Sequence, residues 1–143
     1  AESSQDIIRE FSTKGLDKNI HPHKFDFFRP DWDFNLSPGG VVYTVAALEQ
    51  VGQNFQDFVE YLMNQKPALC IHIEPIEELL DPENLLDYLS IQYFRKRNYL
   101  SGFLECLKNL ERQGKLEIVK ASRTYIGSLF IEGYSVIVWS SNR

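Results

Sequence analysis

Two stretches hold the side chains best suited to chemistry. The first is CIHIEPIEE, residues 70–78. Its apolar run reads as a strand, which Glu74 and Pro75 then end. A carboxylate at a strand mouth can bind an amine, or take a proton if burial raises its pKa. Pro75 has no N–H and stops ladder pairing. The alternative is that Glu74 caps a backbone turn. His72 alternates with Ile71 and Ile73, so it is either a base or an interior histidine with satisfied hydrogen bonds. The second stretch is LEQVG, residues 48–52. Glu49 and Gln50 leave the end of another apolar run, as substrate contacts or as a helix-entry loop.

Other residue types are weighed in the same way. Asp26 in KFDFF can accept a hydrogen bond from an adenine amino group while Phe27 packs on the ring; otherwise it is a turn-capping acid. His21 and His23 have no matching third ligand and read as surface loop, so no metal is expected. FRKRNY, residues 94–99, is the basic cluster of the chain. It either complements a helix C-terminus or binds an anionic group. There is no G-x-G phosphate loop and no serine nucleophile elbow.

The chain has 143 residues and a net charge of −5. That length suits one domain, 1–143, able to bury roughly 70% of its unfolded surface. The acidic balance argues against nucleic acid, which needs a basic face. Cys70 and Cys106 have no zinc spacing and make no disulfide scaffold; they read as reduced thiols in a cytoplasmic protein. No apolar run approaches the roughly 18 residues of a membrane span, and no secretion signal is visible. The start at Ala1, running straight into a helix, reads as a trimmed fragment.

The elements that must position these residues follow from periodicity. Ser3 or Ser4 caps a first helix with Ile7, Ile8 and Phe11 on one face, stopped at Gly15. Residues 21–28 read as a short strand and 29–40 as a loop. The run 41–48 reads as a central strand, apolar on both faces, and 67–73 as another. Between them a helix spans about 54–65, with Phe55, Phe58, Val59, Leu62 and Met63 inward. Asp81 and Pro82 start a helix with Leu85, Leu86, Leu89 and Tyr93 as its inner face. A further helix covers about 99–113, with Leu100, Phe103, Leu104, Leu107 and Leu110 inward, and Gly114 stops it. Two closing strands, 116–125 and 134–140, pair as an antiparallel hairpin. The expected fold is α/β: a Rossmann-like, mainly parallel sheet with helices on both faces and a C-terminal antiparallel hairpin. Ligands of such sheets sit at the carboxyl ends of the strands.

VVYTVAALEQVG, a helix, PALCIHIEPI, two helices and a hairpin together resemble the later part of a class I S-adenosylmethionine-dependent methyltransferase. The resemblance covers nearly all of the chain, but the family's opening strand and glycine-rich turn are absent. It implies S-adenosylmethionine as cofactor. Glu2 matches the acid that holds the ribose, Asp26 the acid that reads adenine with Phe27 beside it, and Ala46 to Gln50 the wall near the methyl group. Ala46 then belongs to the cofactor side, and Glu49 and Gln50 to the substrate side. Glu74 or His72 takes the proton of a small-molecule acceptor. The missing strand belongs beside 41–48, so that edge is expected to be unpaired, apolar and prone to self-association. The alternative is a non-catalytic α/β docking or oligomerisation module.

Overall fold

The computed structural model describes residues 2–15, 20–21, 23–127 and 132–141, with backbone alone at 2–5 and 132. Helix α1 (Glu2–Thr13) forms as its spacing predicts, and Gly15 follows it at φ +67°. Its apolar stripe stays in solvent: Ile7 and Phe11 are both exposed.

Strands β1 (Val41–Val45), β2 (Leu69–Glu74), β3 (Leu116–Gly127) and β4 (Glu132–Ser141) form one sheet in the order β1-β2-β4-β3. β1 and β2 are parallel, with Val41 opposite Leu69 and Val45 opposite Ile73. β4 runs antiparallel to both β2 and β3. The expected mainly parallel Rossmann-like sheet is therefore corrected to a mixed, mostly antiparallel one. The hairpin is present, but its second strand lies inside the sheet beside β2. This reversed strand makes two of the three pairings antiparallel.

The helices also differ from expectation. α2 (Gln56–Gln65), α3 (Leu85–Lys96) and α4 (Phe103–Arg112) all meet the sheet face that carries Cys70, His72 and Glu74. On β2 burial alternates strictly, with Leu69, Ile71 and Ile73 only half-buried. On β1, Val41, Tyr43 and Val45 are exposed, Tyr43 by 73%. The misreading has a simple cause. β-branched and aromatic residues favour strands on open faces as well as covered ones, so composition does not count helical layers.

Three boundaries move for physical reasons. Residues 23–36 form no strand: with no partner strand beside them among the described residues, they turn at Phe27–Phe28, where Asp26 accepts the Phe28 N–H at 2.9 Å. β1 stops at Val45 because Ala46 is left-handed, φ 49°. The start of α3 is capped by Asn84, whose Oδ1 accepts from Leu86 and Asp87 N–H, rather than by Asp81 and Pro82. α3 also turns the opposite face inward. Asp87, Ser90, Ile91 and Phe94 are buried, while Leu85, Leu86, Leu89 and Tyr93 are exposed. The core lies between sheet and helices and contains Phe55, Phe58, Leu62, Leu104, Leu107 and Trp139. Each such side chain contributes about 2 kcal/mol on burial.

Candidate functional site

The site grows from the carboxyl ends of the two parallel strands. After Ala46 the chain enters a short 3-10 turn, Leu48–Val51, whose N-cap Ala47 has no side-chain acceptor for the first amides. Glu74 at the end of β2 supplies one. Its Oε1 accepts from Ala47 and Leu48 N–H at 3.1 Å, and its Oε2 from Ala47 at 3.1 Å and Glu49 at 3.2 Å. The carboxylate is fully buried. Burial pushes its pKa up, against these amides and the Thr44 hydroxyl, and it stays above the ordinary value. A carboxylate offers about four lone-pair positions, and these donors occupy them.

His72 lies two residues earlier on the same face, with no exposure. Trp139 Nε1 donates to His72 Nε2 at 3.0 Å, and Thr44 Oγ1 lies 2.9 Å from Nδ1. An indole N–H only donates, so Nε2 is an acceptor. The neutral ring therefore carries its proton on Nδ1 and donates it to Thr44. The Thr44 hydroxyl in turn serves Glu74. Burial pulls the His72 pKa down to about 4. The chain Trp139–His72–Thr44–Glu74 ties β4, β2 and β1 together through satisfied polar atoms.

The rest of the EPIEE acids are also engaged. Glu77 meets Arg95 and Ser101 at 3.2 Å each. Glu78 Oε1 accepts the Leu104 N–H at 3.1 Å, at the start of α4.

Around the same strand ends the surface is polar and aromatic. Glu49 is half-buried and accepts from the exposed Gln50 at 3.0 Å. Tyr93 and Tyr99 rings meet edge to face at 5.9 Å, and the Arg97 guanidinium lies 5.9 Å above Tyr99. Hydrogen bonding with Tyr99 raises the Tyr93 pKa, and the charge of Glu49 adds to that. Glu49 therefore shares a field with part of the basic cluster. The basic run FRKRNY already contains Tyr99, but the sequence pattern sets Tyr93 on the inner face of its helix, so the pairing of the two rings is not visible in it. The signal that could have found them is the spacing of six between them around Arg97.

The residues expected on the cofactor side lie apart from these. Phe27 is half-buried against Phe58, ring centroids 4.8 Å apart. It lines a groove of about 890 Å³ together with Thr44, Val45 and Ala47. Asp26 keeps an exposed side chain beside it. Asp26 is absent from the lining of that groove, and its Oδ1 accepts the Phe28 N–H. Ala46 is half-buried at the β1 exit. The Glu2 side chain lies outside the described residues. His72 and Glu74 do not line the groove.

Among the described residues no group of three or more His, Cys, Asp or Glu could hold a metal. His23 instead stacks on Phe34 at 4.0 Å. Cys70 and Cys106 are free, and burial pushes the Cys70 thiol up to about 12. No described helix is long and apolar enough to cross a membrane. Compared with protein-family profiles, curated proteins and solved structures, the chain finds no match.

Proposed function

We propose that this chain provides adenine-side and acceptor-side walls for methyl transfer from S-adenosylmethionine. The observation that carries the reading is the β1 exit. There a left-handed Ala46 and the Glu74 tie fix the Glu49–Gln50 turn beside Tyr93, Arg97 and Tyr99. Among the described residues no strand lies on the outer edge of β1, the place where the resemblance leaves one out, and this supports the reading further. When bound, the cofactor supplies an electrophilic methyl group on a sulfonium. The chain's own contribution is alignment, which accounts for most of what such a transfer needs. Glu74 and His72 act here as positioning residues, because their polar atoms are already engaged. Glu49, half-buried and at the surface, is the carboxylate placed to hold an acceptor or take its proton.

Calorimetric titration with S-adenosylhomocysteine tests this. Saturable binding that Asp26→Ala weakens at least tenfold is the expected result. Absence of saturable heat counts against the reading and leaves a non-catalytic docking module.

A further inference from the structure

Gly52 closes the 3-10 turn Leu48–Val51 at φ 60° and ψ −119°. A residue with a side chain rarely adopts that conformation, so the turn needs glycine there. The glycine is buried against Asn98. A Cβ added to it would meet Asn98 Nδ2 at 2.9 Å and the Asn98 carbonyl oxygen at 3.3 Å. Asn98 is left-handed as well, φ 52°. It lies just past α3, where Asn98 N–H donates to Arg95 C=O at 3.1 Å and Tyr99 N–H to Phe94 C=O at 2.9 Å. That pair of bonds makes a Schellman turn. It sends the chain across the end of the Glu49 turn. Leu100 N–H donates to Glu49 C=O at 3.1 Å, and Ser101 N–H to Gly52 C=O at 3.3 Å. Glu74 thus fixes the start of the turn, and residues 98–101 fix its end. Neither of the last two bonds uses a charged group of the site.

We propose that Gly52 is a positioning residue of the acceptor side: its backbone, seated on Asn98, sets the spacing between the Glu49 carboxylate and the cluster of Tyr93, Arg97 and Tyr99. The two walls come from separate stretches of the chain. Glu49 rides on the turn after β1, whereas Arg97 and Tyr99 ride on the exit of α3. Two backbone bonds and one close approach join them, so a shift of the Gly52 backbone moves one wall against the other. Catalysis by alignment is sensitive to such a shift, since a misplacement of about 1 Å can cost ~100-fold. The name acceptor side rests on the methyl-transfer reading; the geometry does not.

The test is a double-mutant cycle read at a phenol in the chain without ligand. Hydrogen bonding with Tyr99 makes Tyr93 harder to ionise, and the Glu49 charge adds to that. Glu49→Gln should therefore lower the Tyr93 midpoint in a ¹³C NMR titration of labelled tyrosine. In Gly52→Ala the same replacement should move that midpoint by less than half as much. Gly39→Ala is the control. Gly39 is also left-handed, φ 73°, but precedes β1, at the opposite end of that strand from Glu49. It should leave the Glu49 effect whole. If the amide spectrum shows that Gly52→Ala does not fold, Asn98→Ala takes its place, perturbing the same contact from its other side. Three results each overturn the proposal: no effect of Glu49→Gln in the parent chain, an undiminished effect in the Gly52 or substitute variant, or an equal loss in Gly39→Ala. The cycle needs no cofactor, so failure of S-adenosylhomocysteine to bind sinks the methyl-transfer reading and leaves the spacing claim to its own result.

Discussion

His72 is held neutral because both ring nitrogens are occupied and no water reaches them. Its pKa falls from 6.5 to about 4, so the unfolded chain binds more protons between those values. Stability therefore declines as pH drops from about 6.5 toward 4, by about 3 kcal/mol from this residue alone. An NMR titration of the His72 ring should show a midpoint near 4 and the Nδ1–H tautomer throughout the neutral range. Glu74 has the opposite sign. Its raised pKa gives the folded state extra protons, so its contribution is lost as pH rises from the ordinary glutamate value through the raised one. Glu74→Gln turns an amide NH₂ toward backbone N–H groups. It should cost about 2 kcal/mol, read as a lower urea midpoint with an unchanged slope. The sequence made the residue types at this site legible, including the choice between base and cap. It did not reveal that the amides served by Glu74 begin 27 residues earlier in the chain. That contact exists only because β1 and β2 are parallel and end together.

At the scale of elements, α3 is the informative case. Its sequence carries two stripes, and the one richer in leucine faces solvent. Asp87 is drawn inward by Arg123 of β3, which reaches both carboxylate oxygens at 2.7 Å, and by the Asp81 N–H at 2.8 Å. Desolvation alone would raise the Asp87 pKa, but the Arg123 hydrogen bonds and the Asp81 amide hold it below its usual value. Periodicity found the helix, though it begins at Leu85 and not at Pro82, and chose the wrong face, because a buried ion pair 36 residues apart leaves no trace in hydropathy. Leu85→Ser and Leu89→Ser should each change stability by no more than about 0.5 kcal/mol. Phe94→Ala should cost about 3–5 kcal/mol and Asp87→Ala about 3 kcal/mol. Chemical denaturation of the four variants separates the two stripes.

At the scale of the whole molecule, local patterns read well and layering did not. The helices near 56–65 and 103–112 and the terminal hairpin all appear close to their expected places. The second helical layer does not, since an exposed Tyr43 and a buried tyrosine look alike in a string of letters. The position of β4 has a consequence for biosynthesis. It lies C-terminal to every strand it joins, yet it occupies the inside of the sheet. While the chain is being made, β2 has only β1 beside it until β4 emerges, and the core lacks the fully buried Trp139. Ribosome-stalled chains that end before residue 132 should stay protease-sensitive across 41–127. Those with residue 141 clear of the exit tunnel should become resistant in one step. The translating ribosome therefore carries a chain in which the inner strand β4 is made after the other three described strands, and folding of the sheet waits on it.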